Sequence, residues 1–279
     1  MQNTKLEVKN LQISFSHEGS QVNAVRDVSF TLGQEKLAIV GESGSGKSTV
    51  GRSLLKLHPK NATVEAEKLL FGDIDLLNAS EKTMRDIRGR RISMIMQDPK
   101  YSLNPVMKVG DQIAEAYLAH YKVSKKIAQE KALIMLEKVQ IRDPKRVYSL
   151  YPHEVSGGMG QRVMIAMMLI PEPEIIIADE PTSALDVSVQ RQVLNLLDEL
   201  ISERNIGLIF ISHDLDLVRN YCDRVLVMYA GRVVESIKAS ELENAQHPYT
   251  QGLLKAPPRI GDIRNRLPTL ERDPSWLYN

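Results

Sequence analysis

The octapeptide Gly41-Glu42-Ser43-Gly44-Ser45-Gly46-Lys47-Ser48 fits G-x-x-x-x-G-K-[ST] at every fixed position. Its glycines let the backbone curl so that successive N–H groups converge on an anion, and a helix opening near Lys47 adds the positive end of its dipole. An ammonium about 4 Å from a phosphate oxygen, at an effective dielectric of about 20, is worth on the order of 4 kcal/mol, which makes Lys47 the electrostatic anchor. Ser48 supplies a hydroxyl for Mg²⁺, and Thr49 follows it on the same helix. The chemistry predicted here is the binding of a nucleotide by its phosphates.

Further along, Ile175-Ile176-Ile177-Ala178-Asp179-Glu180 is an apolar run ending in two acids. Two carboxylates at the end of a buried strand are expensive unless a cation compensates them, so this geometry asks for a metal. Asp179 is placed to hold Mg²⁺ through water, and Glu180 to reach the water that attacks a γ-phosphate. A third element, Ser156-Gly157-Gly158, opens a helix running to Ile170 with Ser156 as its N-cap, which makes a second anion-binding end. Three more positions stand at element ends. Gln97 follows the run Ile92 to Met96, Ser183-Ala184-Leu185-Asp186 follows Glu180, and His213 follows Leu208 to Ser212.

The elements that must hold these residues read as α/β. Leu6 to Lys9 and Val28 to Leu32 alternate as half-buried antiparallel strands, and Lys36 to Val40 is a short apolar strand entering the glycine-rich turn. A helix is predicted from Lys47 to Leu57. Between Pro99 and Glu154 strand patterns vanish, and Ser124 precedes a helical spacing of Ala128, Ala132, Met135, Leu136 and Val139. Strands at 174–179, 206–212 and 224–229 and a helix at 187–204 then restore the alternation, with Ala230-Gly231 as a turn. Strands alternating with helices imply a mostly parallel core sheet covered on both faces, beside an N-terminal antiparallel β subdomain. From about Ser240 the chain reads as a loosely ordered tail with His247-Pro248-Tyr249 and several later prolines.

Composition narrows the class. The 279 residues carry 36 Lys and Arg against 35 Asp and Glu, a formal charge of +1, with 43% hydrophobic residues. That is a folded chain with no bulk field for a polyanion, which argues against nucleic acid as a partner. The single cysteine, Cys222, excludes an internal disulfide or a Cys-ligated cluster and fits a reducing compartment. Met1 to Asn10 lacks the apolar core of a signal peptide. The longest aliphatic run, Val163 to Ile170, falls far short of the roughly 20 residues of a membrane span. If a membrane matters, another chain crosses it.

In order and spacing, these motifs resemble those of the ATP-binding-cassette ATPases from about Leu6 to Glu235. The resemblance implies a P-loop NTPase cassette at residues 1–235, with an inserted helical subdomain at about 99–158 and a C-terminal extension at 236–279. It makes Gly41–Ser48 the Walker A loop, Gln97 the Q-loop glutamine and Ser156-Gly157-Gly158 the signature. Asp179 and Glu180 correspond to Walker B with its catalytic acid, Asp186 belongs to the D-loop, and His213 is the switch histidine. Phe15 falls where the family stacks an aromatic on adenine, although the position also suits a core residue. The resemblance further implies ATP and Mg²⁺ as cofactors, with Ser48, Gln97 and Asp179 around the metal. It implies a head-to-tail dimer in which ATP lies between the Walker loop of one subunit and the signature of the other.

Gln97-Asp98-Pro99-Lys100-Tyr101-Ser102-Leu103-Asn104-Pro105, Tyr151-Pro152-His153-Glu154 and the segment His247 to Leu254 resemble the oligopeptide, dipeptide and nickel importer branch. That branch implies two membrane permease subunits as partners, an extracytoplasmic solute-binding protein acting through them, and a place on the cytoplasmic face of the membrane. Tyr101, Leu103, Asn104 and Pro105 are then expected in the groove that receives a permease helix. Two departures stand out. Gly160 replaces the arginine common in the branch signature, and no cysteine cluster follows the His-Pro-Tyr segment, so no iron–sulfur centre is implied. Competing readings are a soluble ATPase of the same superfamily working on nucleic acid or ribosomes, a small-molecule P-loop kinase, and a regulatory nucleotide-binding module. The kinase would need neither Ser156-Gly157-Gly158 nor the Asp186 loop, and the regulatory module would not need Glu180 and His213.

Overall fold

The computed structural model of the chain describes residues 4–17, 19–97 and 102–255, with Asp273 and Trp276. It divides into two compact units, Met1–Ala79 with Ile209–Asn279, and Ser80–Leu208.

In the first unit β1 (Leu6–His17) and β2 (Ser20–Leu32) form an antiparallel hairpin, with Leu6 opposite Leu32 and Ile13 opposite Val25. Leu6 and Val8, then Leu11 and Ile13, are buried with a period of two inside each pair, and the register shift between Val8 and Leu11, where Asn10 takes φ 52°, breaks the alternation between the pairs. β4 (Ala62–Glu65) and β5 (Lys68–Phe71) also pair with β1, and β6 (Ile74–Asp75) extends the sheet. A separate group is built on β3 (Lys36–Val40), which runs parallel to β10 (Arg224–Tyr229). β10 turns antiparallel into β11 (Arg232–Lys238) through Ala230 and Gly231, at φ 45° and 86°. Both values lie in the left-handed region that a two-residue hairpin demands. Leu37 to Val40 are fully buried, so β3 is a continuous apolar run rather than an alternating one, as suits a parallel strand covered on both faces.

α1 (Lys47–Ser53) follows the glycine-rich turn and is shorter than the predicted span to Leu57. Lys56 adopts φ 50°, its N–H donates to the Ser53 carbonyl, and the Leu57 N–H donates to the Arg52 carbonyl. That is a Schellman closure built on a lysine, where a glycine would have signalled the stop.

In the second unit β7 (Ile92–Ile95) runs parallel to β8 (Ile175–Asp179), and both are buried at every residue. α2 (Glu81–Ile87), α3 (Val109–Leu118), α4 (Lys125–Lys138) and α5 (Pro144–Tyr148) fill much of the sequence around β7. Ser124 caps α4 by accepting from the Ile127 N–H, and Ala128, Ala132, Met135, Leu136 and Val139 are all buried, as their spacing predicts. α6 (Gly157–Leu169) and α7 (Val187–Glu203) flank β8 in sequence. The division between the units falls inside β9 (Gly207–Ser212).

The expectation of a loose tail from about Ser240 is corrected as far as Lys255. A 3₁₀ turn (Ala239–Asn244) leads to α9 (Pro248–Lys255), in which Tyr249 and Thr250 are fully buried. One tyrosine inside a proline-marked stretch carries no periodicity, so its burial leaves no pattern in the sequence. The prolines from Pro257 onward lie outside the described residues.

Candidate functional site

In the first unit the turn between β3 and α1 brings the Walker-type residues together. Gly41 follows β3 directly, and a Cβ there would sit 2.1 Å from the Met228 carbonyl oxygen, so only glycine fits. Gly46 takes φ 99°, and a Cβ on it would lie 2.5 Å from the Ala24 carbonyl oxygen. The two glycines thus let the loop pass hard against β10 and β2. Lys47 is nearly fully buried, with Nζ donating to the carbonyls of Gly41 at 2.9 Å and Glu42 at 2.8 Å. Its ammonium is folded back over the loop. Ser45 is buried, Ser48 and Thr49 are half-buried, and Ser43 and Gly44 are exposed. The cradle therefore offers exposed backbone at its tip and a hydroxyl-bearing helix start at its base, a donor set that suits a polyphosphate and a hard cation.

Phe15 lies on β1 opposite Val22 of β2 and Ala62 of β4. It is half-buried, and Val22 is exposed, so this position is an open sheet face rather than core. His213 is exposed directly after β9. Asp214 behind it caps α8 (Leu215–Tyr221), accepting from the N–H groups of Asp216 and Leu217, and its own N–H donates to Ser212 Oγ at 3.0 Å. The histidine is thereby held between two fixed ends.

In the second unit Asp179 closes β8 and is buried, while Glu180, one residue on, takes φ 47° and is half-buried. A left-handed glutamate costs on the order of 1–2 kcal/mol, so the turn around it must hold it there. Ser183 does part of this, donating from its backbone N–H and from Oγ to the Glu180 carbonyl. Gln161, buried on α6, donates from Nε2 to the Pro181 carbonyl. Gln190 Nε2 donates to Thr182 Oγ1 at 3.1 Å. Gln97, exposed just beyond β7, donates from Nε2 to Glu180 Oε2 at 3.0 Å. Two residues far apart in sequence are thus in direct contact.

Ser156 caps α6 by accepting from the Met159 N–H, as its position predicts. Asp186 caps α7, accepting from the N–H groups of Ser188 and Val189 and from Ser188 Oγ, and these bonds hold its carboxyl below the usual carboxylate range, with the Val189 N–H contributing most. Ser156, Gly157, Gly158 and Asp186 line one cavity of about 410 Å³. A second, of about 590 Å³, is lined by Leu103, Pro105, His153, Ser156, Gly160 and Leu185. Asn104 beside it is clamped by Gln112, whose Oε1 accepts from the Asn104 N–H and whose Nε2 donates to the Asn104 carbonyl. Tyr101 lies outside the described residues.

Sequence reasoning missed Gln161, Gln190 and Tyr249. The first two act on a turn through amide groups that have no motif of their own. Tyr249 accepts at its hydroxyl from the Glu42 N–H at 3.0 Å, at the mouth of the glycine-rich loop.

Residues 25–183 match the family described as ABC transporter. The dipeptide transport ATP-binding protein DppD of Bacillus subtilis (strain 168) is 48% identical over 277 residues, covering 98% of this chain and 83% of that protein. The oligopeptide transport ATP-binding protein OppD of the same organism is 49% identical over 258 residues, covering 91% and 72%. Among solved structures, the dimeric post-hydrolysis state of the ATP-binding cassette MJ0796, bound to ADP and Pi, aligns with a TM-score of 0.72 at 25% identity, over 84% of this chain and 98% of that one. The structure of cbiO1 from Clostridium perfringens, part of the ABC transporter complex cbiONQ, aligns with a TM-score of 0.74 at 26% identity, over 86% and 91%. With its P-loop α/β fold, and with the family match spanning more than half its length, this chain belongs to the ABC transporter family as one of its ATP-binding proteins.

Proposed function

We propose that this chain is the ATP-hydrolysing subunit of an importer that takes up peptides, working on the cytoplasmic face of a membrane that its partners cross. The observation that carries the substrate class is near-half identity, along almost the whole chain, to proteins named for dipeptide and oligopeptide transport. Nickel or a metal chelate is the alternative within the same branch. Among the described residues no helix is long and apolar enough to cross a membrane; in this reading the permease subunits cross it.

In this reading residues 1–235 are the cassette, with the helical stretch 99–158 inserted in it and 236–279 as an extension. Lys47 leaves the loop carbonyls to take a phosphate oxygen, and the backbone of Gly41–Ser48 wraps the phosphates. Phe15 offers a face to adenine. Ser48, Gln97 and, through water, Asp179 would hold Mg²⁺, which would neutralise charge on the phosphates. Glu180 orients the attacking water and takes its proton, and Gln97 fixes the Glu180 carboxylate for that task. His213 contacts the γ-phosphate. Ser156, Gly157 and Gly158, with Asp186 beside them, close on the ATP of a second cassette, a copy of this chain or a related one. Leu103, Asn104 and Pro105 border the surface that meets a permease helix.

The test is reconstitution with the membrane subunits and a solute-binding protein. The expected result is copurification with the permease and ATP hydrolysis stimulated by peptide-loaded binding protein. Failure to copurify, or hydrolysis indifferent to peptide but responsive to a metal chelate, would contradict the peptide reading.

A further inference from the structure

The Gly41–Glu42 peptide group is gripped at both ends. Its carbonyl oxygen, on Gly41, accepts from Lys47 Nζ at 2.9 Å, and its N–H, on Glu42, donates to the Tyr249 hydroxyl at 3.0 Å. Hydrogen bonds at the two ends of one amide polarise each other, so each strengthens the other. When a phosphate draws the Lys47 ammonium away, the carbonyl loses that partner and the tyrosine remains on the N–H. This matters most at Gly41, where the backbone runs too close to Met228 to tolerate a side chain.

Tyr249 is itself immobilised. Its side chain is fully buried, its ring lies 4.6 Å from that of Tyr229, and its backbone N–H donates to His247 Nδ1. Trp276, from the far end of the chain, sets its ring edge-on against Tyr229 at 5.7 Å and against Tyr249 at 6.0 Å. Such aromatic clusters hold a ring in one orientation, so the hydroxyl is delivered at a fixed point.

We propose that Tyr249 is a positioning residue for nucleotide binding: its hydroxyl fixes the entry peptide of the phosphate loop, and through it the C-terminal segment sets the affinity for the nucleotide phosphates. The proposal rests on the reading of Gly41–Ser48 as a phosphate site. It gives the extension after the cassette a task at the site itself.

The test compares Tyr249→Phe, Trp276→Ala and Lys47→Ala in the full chain, measuring ADP and ATP affinity, the KM for ATP, kcat and Tm. Tyr249→Phe keeps the ring and removes only the hydroxyl, and loss of one hydrogen bond to the loop predicts affinity weakened by about 3- to 10-fold. KM should rise by the same factor while kcat changes less, because the contact serves ground state and transition state alike. Trp276→Ala should move KM in the same direction by a smaller factor. A tyrosine that merely supported the fold would lower Tm and the amount of active protein with affinity and KM unchanged, and that result would overturn the proposal. If Lys47→Ala also left nucleotide affinity intact, the reading of the loop itself would fail; if Lys47→Ala alone weakened it, only the role of Tyr249 would.

Discussion

Gln97 donates its side-chain amide to the carboxylate of Glu180 across 3.0 Å, joining the end of β7 to the turn after β8. Glu180 stands at φ 47° in a turn pinned by Ser183 and Gln161, so its backbone is fixed and the amide aims its carboxylate. Gln97→Ala should therefore reduce ATP turnover by about 10- to 100-fold, the range that misplacement of a reacting group produces. Nucleotide binding in the absence of Mg²⁺ should hold within about twofold, because the phosphate loop keeps its own contacts. Single-turnover hydrolysis beside equilibrium binding separates the two effects.

Gly41→Ala would place a methyl group 2.1 Å from the Met228 carbonyl oxygen. The loop or β10 must shift, which costs about 1–3 kcal/mol of unfolding free energy by the usual penalty for overpacking. Urea unfolding reads that cost, and titration with a fluorescent nucleotide should show affinity lowered by about tenfold as the cradle deforms.

Ser156→Ala removes the oxygen that accepts from the Met159 N–H at the start of α6. Loss of such a cap costs about 1 kcal/mol of stability. On the proposed reading it also removes a contact to the nucleotide of a second cassette. ATP-dependent dimerisation, followed by light scattering, should weaken while nucleotide binding by the monomer persists.

Tyr148 donates to Asp111 Oδ1 at 2.9 Å, and burial, reinforced by that bond, pushes its phenol up to about 12. The folded chain thus holds the proton more tightly than the unfolded one. The stabilisation is complete below pH 10, the ordinary tyrosine value, and is lost as the pH rises from there towards 12. Urea midpoints of the native chain and of Tyr148→Phe should differ most below pH 10 and converge above it.

Much of this was legible in the residues because the chemistry is concentrated in short runs. Gly41–Ser48 could be placed between a strand and a helix because residues 37–40 of β3 are all apolar and glycine is the only residue that passes Met228 and Ala24. Ser124 and Ser156 showed where α4 and α6 begin, since a hydroxyl ahead of an apolar period is a local signal. The helix end at Lys56 was invisible, because the local Schellman closure places its left-handed turn on a lysine rather than a glycine. Gln161, Gln190 and Tyr249 were equally silent. Their roles depend on contacts 20, 8 and 207 positions apart in sequence, and nothing in the identity of a buried amide or phenol names its partner.

The central claim is that two cassettes enclose ATP and that Glu180 drives its hydrolysis. Glu180→Gln keeps the size and the left-handed turn while removing the base. In the presence of ATP and Mg²⁺, this variant should form stable dimers, alone or with its partner ATPase, while turnover falls at least about 100-fold. Continued rapid hydrolysis by that variant, with no ATP-dependent dimer, would contradict the account.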